Sequence, residues 1–584
     1  MRSSGGVLIL ATAIVVLLAG IVQVIAGAVS IGVTIDEPTH VMRLQGLIGE
    51  GWYVPPVFLT DTDPGSVPEA SPYVYGPAYS LIAHAANVVA GNESTGEVST
   101  VAATWETRHL VVALIGLLTA AAAGLAVWLL TASRRFALWG AAALLAFPIW
   151  LGMSFFNPKD IPVAAGYTLF TVGLLLALDR GRHVGTTRAS TVAVGALLAV
   201  GFYLSAGTRP ALWAALLASA ATFAVLAWGR VRFSGAPRDR LGAGAVVVGI
   251  LIGILAMVVS YPAVFSHPFD LLTQSIADSA DFSWSGFTLT AGRLVPPFPP
   301  WWYLPVWVFA SSPLLLLLLS VAGAASPFGA FARVRSRIDR ARLREWLARD
   351  DVGVVLVAQQ ALLMSVGSIL IGANMYGGLR QHLYVVPPLA ILAGVGASAL
   401  WRRVSAGEGN RWGRVAVALL VSAALAVPMI EQALLHPYNY VYVNPIAGIG
   451  GVNGRWETDF WQASMREALS VLPSDARPYC GALPQSASND QPAISDCILS
   501  PVIAPYLGER EGEPIGSQGS ATQSVWVISS DPLADAYPAQ CRQADDVTRW
   551  LRGEEVLMTH VFLCDSSLAP KPTPLPASLL RDPG

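Results

Sequence analysis

Long apolar runs broken by short polar loops dominate the first three quarters of this chain. About 20 apolar residues are needed to cross the hydrocarbon core of a bilayer. Runs of that order fall at 7–29, 109–131, 136–156, 161–178, 191–206, 211–228, 243–264, 303–325, 353–372, 383–401 and 415–435. The pattern predicts an all-α polytopic membrane protein with about eleven transmembrane helices. The run at 191–206 is short and Pro210 restarts the pattern, so these two can be a broken pair instead of a hairpin. The first run exceeds the 7–15 residues of a signal-peptide core, and it reads as a retained helix despite the cleavage-like Ala26-Gly27-Ala28.

Between the first two runs, the loop 30–108 carries helical patterns of its own. Thr34 and Glu37 have capping-box spacing, Pro38 suits a first turn, and Val41, Leu44, Leu47 and Ile48 recur at helical spacing up to Gly49 and Gly51. This predicts an amphipathic helix lying on the outer leaflet. A Pro-, Asp- and Ser-rich stretch (55–72) precedes Tyr73-Val74-Tyr75-Gly76-Pro77 and a second, interfacial run at 78–90. Loop 265–302 is rich in aromatics and proline, and 327–350 reads as a basic helix facing anionic lipid.

After residue 435 the pattern changes. Trp456-Glu457-Thr458-Asp459-Phe460-Trp461 leads into a helix ending near Leu472, and short apolar runs at 524–529 and 556–563 read as strands. The division expected is a membrane domain over 1–435, a small α/β extracytoplasmic C-terminal domain over 436–567, and a Pro-rich disordered tail over 568–584.

Composition agrees: the 584 residues are 54% hydrophobic and 13% charged, against about 25% charged in soluble domains. A net charge of -2 offers no ground for nucleic-acid binding. Arginine placement sets orientation by the positive-inside rule. Arg2, Arg134, Arg135, Arg180, Arg182, Arg188, Arg230, Arg232, Arg238, Arg240, the run Arg333 to Arg349, Arg402, Arg403, Arg411 and Arg414 share one side if the N-terminus is cytoplasmic. The few basic residues left outside, Arg43, Lys159, Arg209, Arg293 and Arg380, each call for a reason. Cys480, Cys497, Cys541 and Cys564 all follow the last span, on the side where disulfides persist; two bridges have three possible pairings. Lysine occurs only at 159 and 571, the usage of a GC-rich bacterial genome.

The outer side also collects the chemistry. Asp36 and Glu37 are adjacent acids where a helix meets water, and ionisable groups in such places are seldom idle. Transfer of a sugar from a lipid phosphate needs a carboxylate to take the acceptor proton, donors for the departing phosphate, and a groove for the carrier. Asp36 is the candidate base with Glu37 orienting; helix capping and a divalent-metal site of Asp36, Glu37 and His40 are the other readings. Asn157-Pro158-Lys159-Asp160 places a lysine and a second acid at the outer end of the third run, for function or for mutual neutralisation. Tyr376-Gly377-Gly378-Leu379-Arg380-Gln381-His382 fills a short outer loop, and the planar fork of Arg380 suits a phosphate. Arg209 is a weaker candidate of the same kind.

The acidic pair after the first helix, the N-in topology and the external C-terminus resemble the GT-C glycosyltransferases. The likeness is to the family-39 type: protein O-mannosyltransferases and bacterial aminoarabinose transferases. Tyr75-Gly76-Pro77 falls where that group has a proline motif in its first loop. Asn157-Pro158-Lys159-Asp160 and Arg380-Gln381-His382 with Pro387-Pro388 look like motifs of bacterial members. The resemblance covers roughly residues 1–450 and leaves the cysteine-bearing tail outside. It implies Asp36 as base or as the residue ordering the acceptor, a polyprenyl-phosphate sugar donor, inversion at the anomeric carbon and no nucleotide-sugar site. The acceptor it implies is a hydroxyl of a protein, a cell-wall glycan or a glycolipid. The residues themselves give Asp36, Glu37 and Asp160 as candidate catalytic groups and His40, Tyr75, Lys159, Arg209, Tyr376, Arg380 and His382 as candidate substrate-binding groups, with no cofactor expected unless a divalent metal is bound. A lipid-linked sugar flippase, a polymer ligase using a lipid diphosphate, and a non-catalytic subunit of an envelope complex are the alternatives.

Overall fold

The computed structural model describes residues 4–59, 67–68, 71–95, 101–234, 239–284, 286–328, 340–406, 411–474, 476–482, 493–496, 500–507, 524–530 and 541–565. Its helices, in chain order, begin with α1 (Ser4–Ser30), α2 (Asp36–Glu50), α3 (Ala78–Ala90), α4 (Ala102–Thr131), α5 (Arg134–Leu145), α6 (Pro148–Met153) and α7 (Asp160–Asp179). There follow α8 (Arg188–Ala206), α9 (Trp213–Ser234), α10 (Arg240–Ser260), α11 (Pro268–Ala280), α12 (Tyr303–Ala310) and α13 (Leu314–Ala325). The series ends with α14 (Arg340–Ala348), α15 (Val354–Leu370), α16 (Val386–Ala406), α17 (Arg411–Leu435) and α18 (Met465–Val471).

Among the described residues, nine helices are long and apolar enough to cross a membrane, so the chain is built as a multi-pass membrane protein. The other two of the eleven runs are interrupted. At 136–156 the helix stops at Leu145 and restarts at Pro148, a residue with no N–H to continue the ladder. At 303–325, α12 and α13 meet at 114° across Ser311–Pro313. The runs at 191–206 and 211–228 are separate helices, each long enough to span.

Small residues let the interior helices approach closely. A Cβ added to Gly323 would lie 1.9 Å from the Leu392 carbonyl oxygen, and one on Gly396 2.1 Å from that of Leu319, so α13 and α16 cross backbone to backbone. The two most enclosed spans are Asp160–Asp179 and Arg380–Ala406, with 83% and 89% of their apolar windows buried. Both start at residues singled out for chemistry, which brings polar groups to one end of the protein-packed interior.

One expectation is corrected. Helix α2 does not lie on a leaflet: Glu37, His40, Val41, Arg43 and Leu44 are all buried in the protein. Its apolar periodicity reflects contact with Trp105, Tyr53 and their neighbours instead of lipid. The helix ends at Gly51 in a left-handed cap, the conformation glycine adopts without strain. Helix α3 has an apolar exposed side, with Val89 89% accessible.

The C-terminal strands are β3 (Pro478–Ala482), β4 (Ala493–Asp496), β5 (Ser524–Ser529), β6 (Cys541–Leu551) and β7 (Glu554–Asp565), after a small hairpin of β1 (Thr288–Thr290) and β2 (Arg293–Val295). They form one sheet of order β4-β3-β5-β7-β6, parallel only between β3 and β5. The β6–β7 turn is Arg552-Gly553, both at positive φ, as a two-residue hairpin turn requires. Cys541 and Cys564 face each other in register and form a disulfide. Cys480 is disulfide-bonded as well, and Cys497 lies outside the described residues. So do half of the stretch 55–72, part of the basic segment 327–350, and the Pro-rich tail. The hydrophobic core runs without a break from the helices into Val547, Leu551, Val556, Met558 and Val561 of the hairpin.

Candidate active site

Three local devices present the polar groups. Asn157 accepts the backbone N–H groups of Lys159 (3.2 Å) and Asp160 (2.8 Å), so an Asx turn caps α7 and aims Lys159 inward. Gly377 and Gly378 adopt positive φ, and Gly378 N–H donates to the Tyr303 hydroxyl at 3.1 Å. This turns the loop so that Arg380 points into the protein. Asp36 is the first residue of α2, after a cap in which Thr34 donates its N–H (2.8 Å) and hydroxyl (2.9 Å) to Glu37.

The three meet. One Asp36 carboxylate oxygen lies 2.6 Å from the Arg380 guanidinium and 3.0 Å from the Lys159 ammonium. The two cations are 2% and 5% exposed, and Asp36 is 13% exposed. Burial opposes ionisation of Asp36, but Lys159 and Arg380 outweigh it and hold the carboxyl well below the usual carboxylate range. Tyr75 forms the next layer: its hydroxyl is 3.4 Å from Lys159, and its ring has Arg43, Lys159 and Arg209 at 5.0, 5.1 and 5.5 Å. Arg209 also lies 3.8 Å from Asp160, whose other oxygen accepts from Asn157 at 3.1 Å.

Three cations, Lys159, Arg209 and Arg380, thus gather around the two carboxylates of Asp36 and Asp160, with Arg43 a fourth on the Tyr75 ring. Such a buried balance favours an anion among them. Beside them opens a small cavity of about 70 Å³, whose lining includes Tyr75, Arg209, Gln381 and His382. Ala211, Leu212, Phe282 and Met364 contribute apolar wall, and Ser279, Ser368 and Asn374 polar wall. The Arg209 Nε and the Ser279 hydroxyl are buried without a hydrogen-bond partner among the described residues.

The remaining candidates have other surroundings. Glu37 is fully buried and its second oxygen is 2.9 Å from His109, which also meets the Ala28 carbonyl oxygen. Its carboxylate shares no partner with Asp36 and ties α2 to α4. His40 hydrogen-bonds Tyr53 at 3.0 Å and packs edge-on to Tyr75; burial and then Lys159 and Arg43 push it well below its ordinary pKa. Asp36, Glu37 and His40 therefore do not converge on a common point, and no group of three metal-ligating side chains occurs among the described residues. Tyr376 stacks on Trp284 (4.3 Å) beneath the Arg380 guanidinium (4.8 Å).

The sequence reading gives Trp461 no place in the site, yet its ring lies 3.9 Å from the Arg380 guanidinium carbon. The aromatic-acidic stretch 456–461 was the available signal for Trp461.

No family model matches the chain, and no curated protein matches it. Among solved structures it is similar to ArnT from Cupriavidus metallidurans bound to undecaprenyl phosphate, at 15% identity and a TM-score of 0.44, over 98% of this chain and 100% of that one. It is also similar to the archaeal oligosaccharyltransferase AglB from Archaeoglobus fulgidus in complex with an inhibitory peptide and a dolichol-phosphate. That match has 14% identity and a TM-score of 0.43, over 75% of this chain and 56% of that one.

Proposed function

We propose that the chain is an inverting glycosyltransferase that moves a sugar from a polyprenyl-phosphate carrier to a hydroxyl of an extracytoplasmic protein, cell-wall glycan or glycolipid. The observation that carries this reading is Asp36 held between Lys159 and Arg380, with Tyr75 and Arg209 joining that cluster to a small cavity of mixed polar and apolar lining.

In this mechanism the acceptor O–H gives its proton to the Asp36 carboxylate while its oxygen attacks the anomeric carbon. The bond from that carbon to the phosphate oxygen breaks, and the electron pair leaves on the polyprenyl phosphate. Lys159, Arg209 and Arg380 stabilise the charge that grows there. One displacement inverts the anomeric centre. Two cations on Asp36 make it a weak base, so the donor phosphate must draw at least one of them away; donor binding then raises the basicity of Asp36 as the reaction needs it. Asp160 orients Arg209, and Glu37 holds the helix that carries Asp36.

The outward location of this site is supported by the arginine distribution along the loops and by the Cys541–Cys564 bridge, a bond of oxidising compartments. The N-terminus is then cytoplasmic, and residues 436–567 cover the outer face of a bacterial plasma-membrane enzyme. The test is to incubate purified protein with labelled polyprenyl-phosphate hexoses and pentoses and a membrane fraction. The reading expects consumption of one donor and a labelled inverted product; failure to consume any of them counts against it.

A further inference from the structure

We infer that the segment 456–466, outside the membrane helices, is a positioning element whose Trp461 sets the Arg380 guanidinium for the donor phosphate. The inference rests on the function proposed above and adds a residue to it.

The stacking geometry comes first. The Arg380 guanidinium carbon is 3.9 Å from the centroid of the Trp461 ring and 4.8 Å from that of Tyr376, so the planar cation is held between aromatic faces. Only its Asp36-directed edge makes a side-chain hydrogen bond, and its Nε has no partner among the described residues. An arginine with so few hydrogen bonds owes its orientation to those rings. Trp461 is itself 3% exposed, wedged by Phe460 (5.0 Å) and Phe156 (6.4 Å).

The backbone of the same segment is fastened to the approach to Asp36. The Ile35 N–H donates to the Trp461 carbonyl oxygen (3.3 Å), and the Gly32 N–H to that of Ala463 (3.1 Å). Arg466 donates to the carbonyl oxygens of Val29 (2.9 Å) and Ile31 (3.2 Å) and lies 3.3 Å from Glu106. The residue before the proposed base and the residue on its cation are thus held by one stretch of chain.

That stretch has its own anchor. Buried Asp459 accepts the N–H groups of Ala463 (3.1 Å) and Ser464 (2.8 Å) and the hydroxyls of Ser464 and Tyr440. The Ser464 hydroxyl also meets Thr559 on β7. Glu457 accepts the Leu289 N–H of β1 at 3.0 Å. The sheet therefore fixes the segment, the segment fixes Trp461, and Trp461 fixes Arg380.

A merely structural tryptophan would lower the amount of folded protein without regard to Arg380. The test is a double-mutant cycle with undecaprenyl phosphate as the probe, its binding to purified full-length protein in detergent measured by retention of the radiolabelled lipid. Arg380→Gln should weaken binding, and Trp461→Leu should weaken it by about tenfold, the scale of a desolvated cation–π contact. In the Arg380→Gln background Trp461→Leu should have no further effect. Trp461→Phe, which keeps an aromatic face, should restore most of the affinity and serves as the informative variant if the leucine protein does not fold. If Arg380→Gln weakens binding while the Trp461 changes do nothing or act additively, the positioning role is overturned and the proposed function stands. If Arg380→Gln leaves binding unchanged, the phosphate role of Arg380 is wrong and the inference falls with it.

Discussion

Replacing Lys159 by methionine separates a catalytic cation from a charge that merely neutralises its neighbour. At 3.0 Å from Asp36, the Lys159 ammonium gains about 5–6 kcal/mol of attraction at an effective dielectric of about 20. Enclosing an ammonium at 5% exposure costs several kcal/mol, so the two terms nearly cancel. Methionine has similar length and no desolvation cost. Asp36 also keeps Arg380 at 2.6 Å, so no carboxylate is left buried without a partner. Folding stability should therefore change by no more than about 1 kcal/mol. Transfer should suffer far more, because a positioned charge on a leaving group contributes on the order of 10²–10³ in rate. The assay pairs donor consumption, as kcat/KM, with a thermal melt of the same preparation. A rate within about threefold of the parent would refute the role of Lys159 in leaving-group stabilisation. So would a rate loss fully explained by a lower folded fraction.

Two further outcomes follow from the same geometry. Glu37→Ala leaves His109 and the Thr34 cap without their partner in a buried site, and should cost about 3–5 kcal/mol in thermal or denaturant unfolding; a melt close to that of the parent would place Glu37 outside the framework. The pH profile carries a sign as well. The folded carboxyl of Asp36 lies below its unfolded value, so its contribution to stability is complete above about pH 4 and is lost as pH falls through the folded value. The profile of kcat/KM, which reports the free enzyme, should accordingly have no Asp36 acid limb above about pH 4, and one should emerge at higher pH in Lys159→Met, where a cation holding the carboxylate ionised is gone.

The sequence carried the architecture well because hydropathy over about 20 residues is a local property. The starts of the helices at Asp36 and Asp160, the cap at Gly51, and the strands over 524–529 and 556–563 were likewise written in local pattern. The helix break at Pro148 was in plain view, but a hydropathy window averages across it. What local pattern cannot say is whether an apolar helix face meets lipid or protein, and α2 was assigned to the leaflet for that reason. Segment 456–466 and Trp105, far along the chain, cover it. The same limit governs the site. Asp36, Lys159 and Arg380 could each be proposed alone, but their meeting depends on contacts spanning more than a hundred residues. Adjacent Asp36 and Glu37 looked like a pair, yet successive helical positions diverge, and Glu37 reaches His109, 72 residues away.

The most direct measurement is turnover of Asp36→Asn, compared with the parent at equal amounts of folded, membrane-inserted protein. With polyprenyl-phosphate sugar as donor, loss of the proton-accepting carboxylate should reduce transfer by on the order of 10²–10⁴ while undecaprenyl phosphate still binds. Transfer by the asparagine protein at the parent rate would contradict the account at its centre.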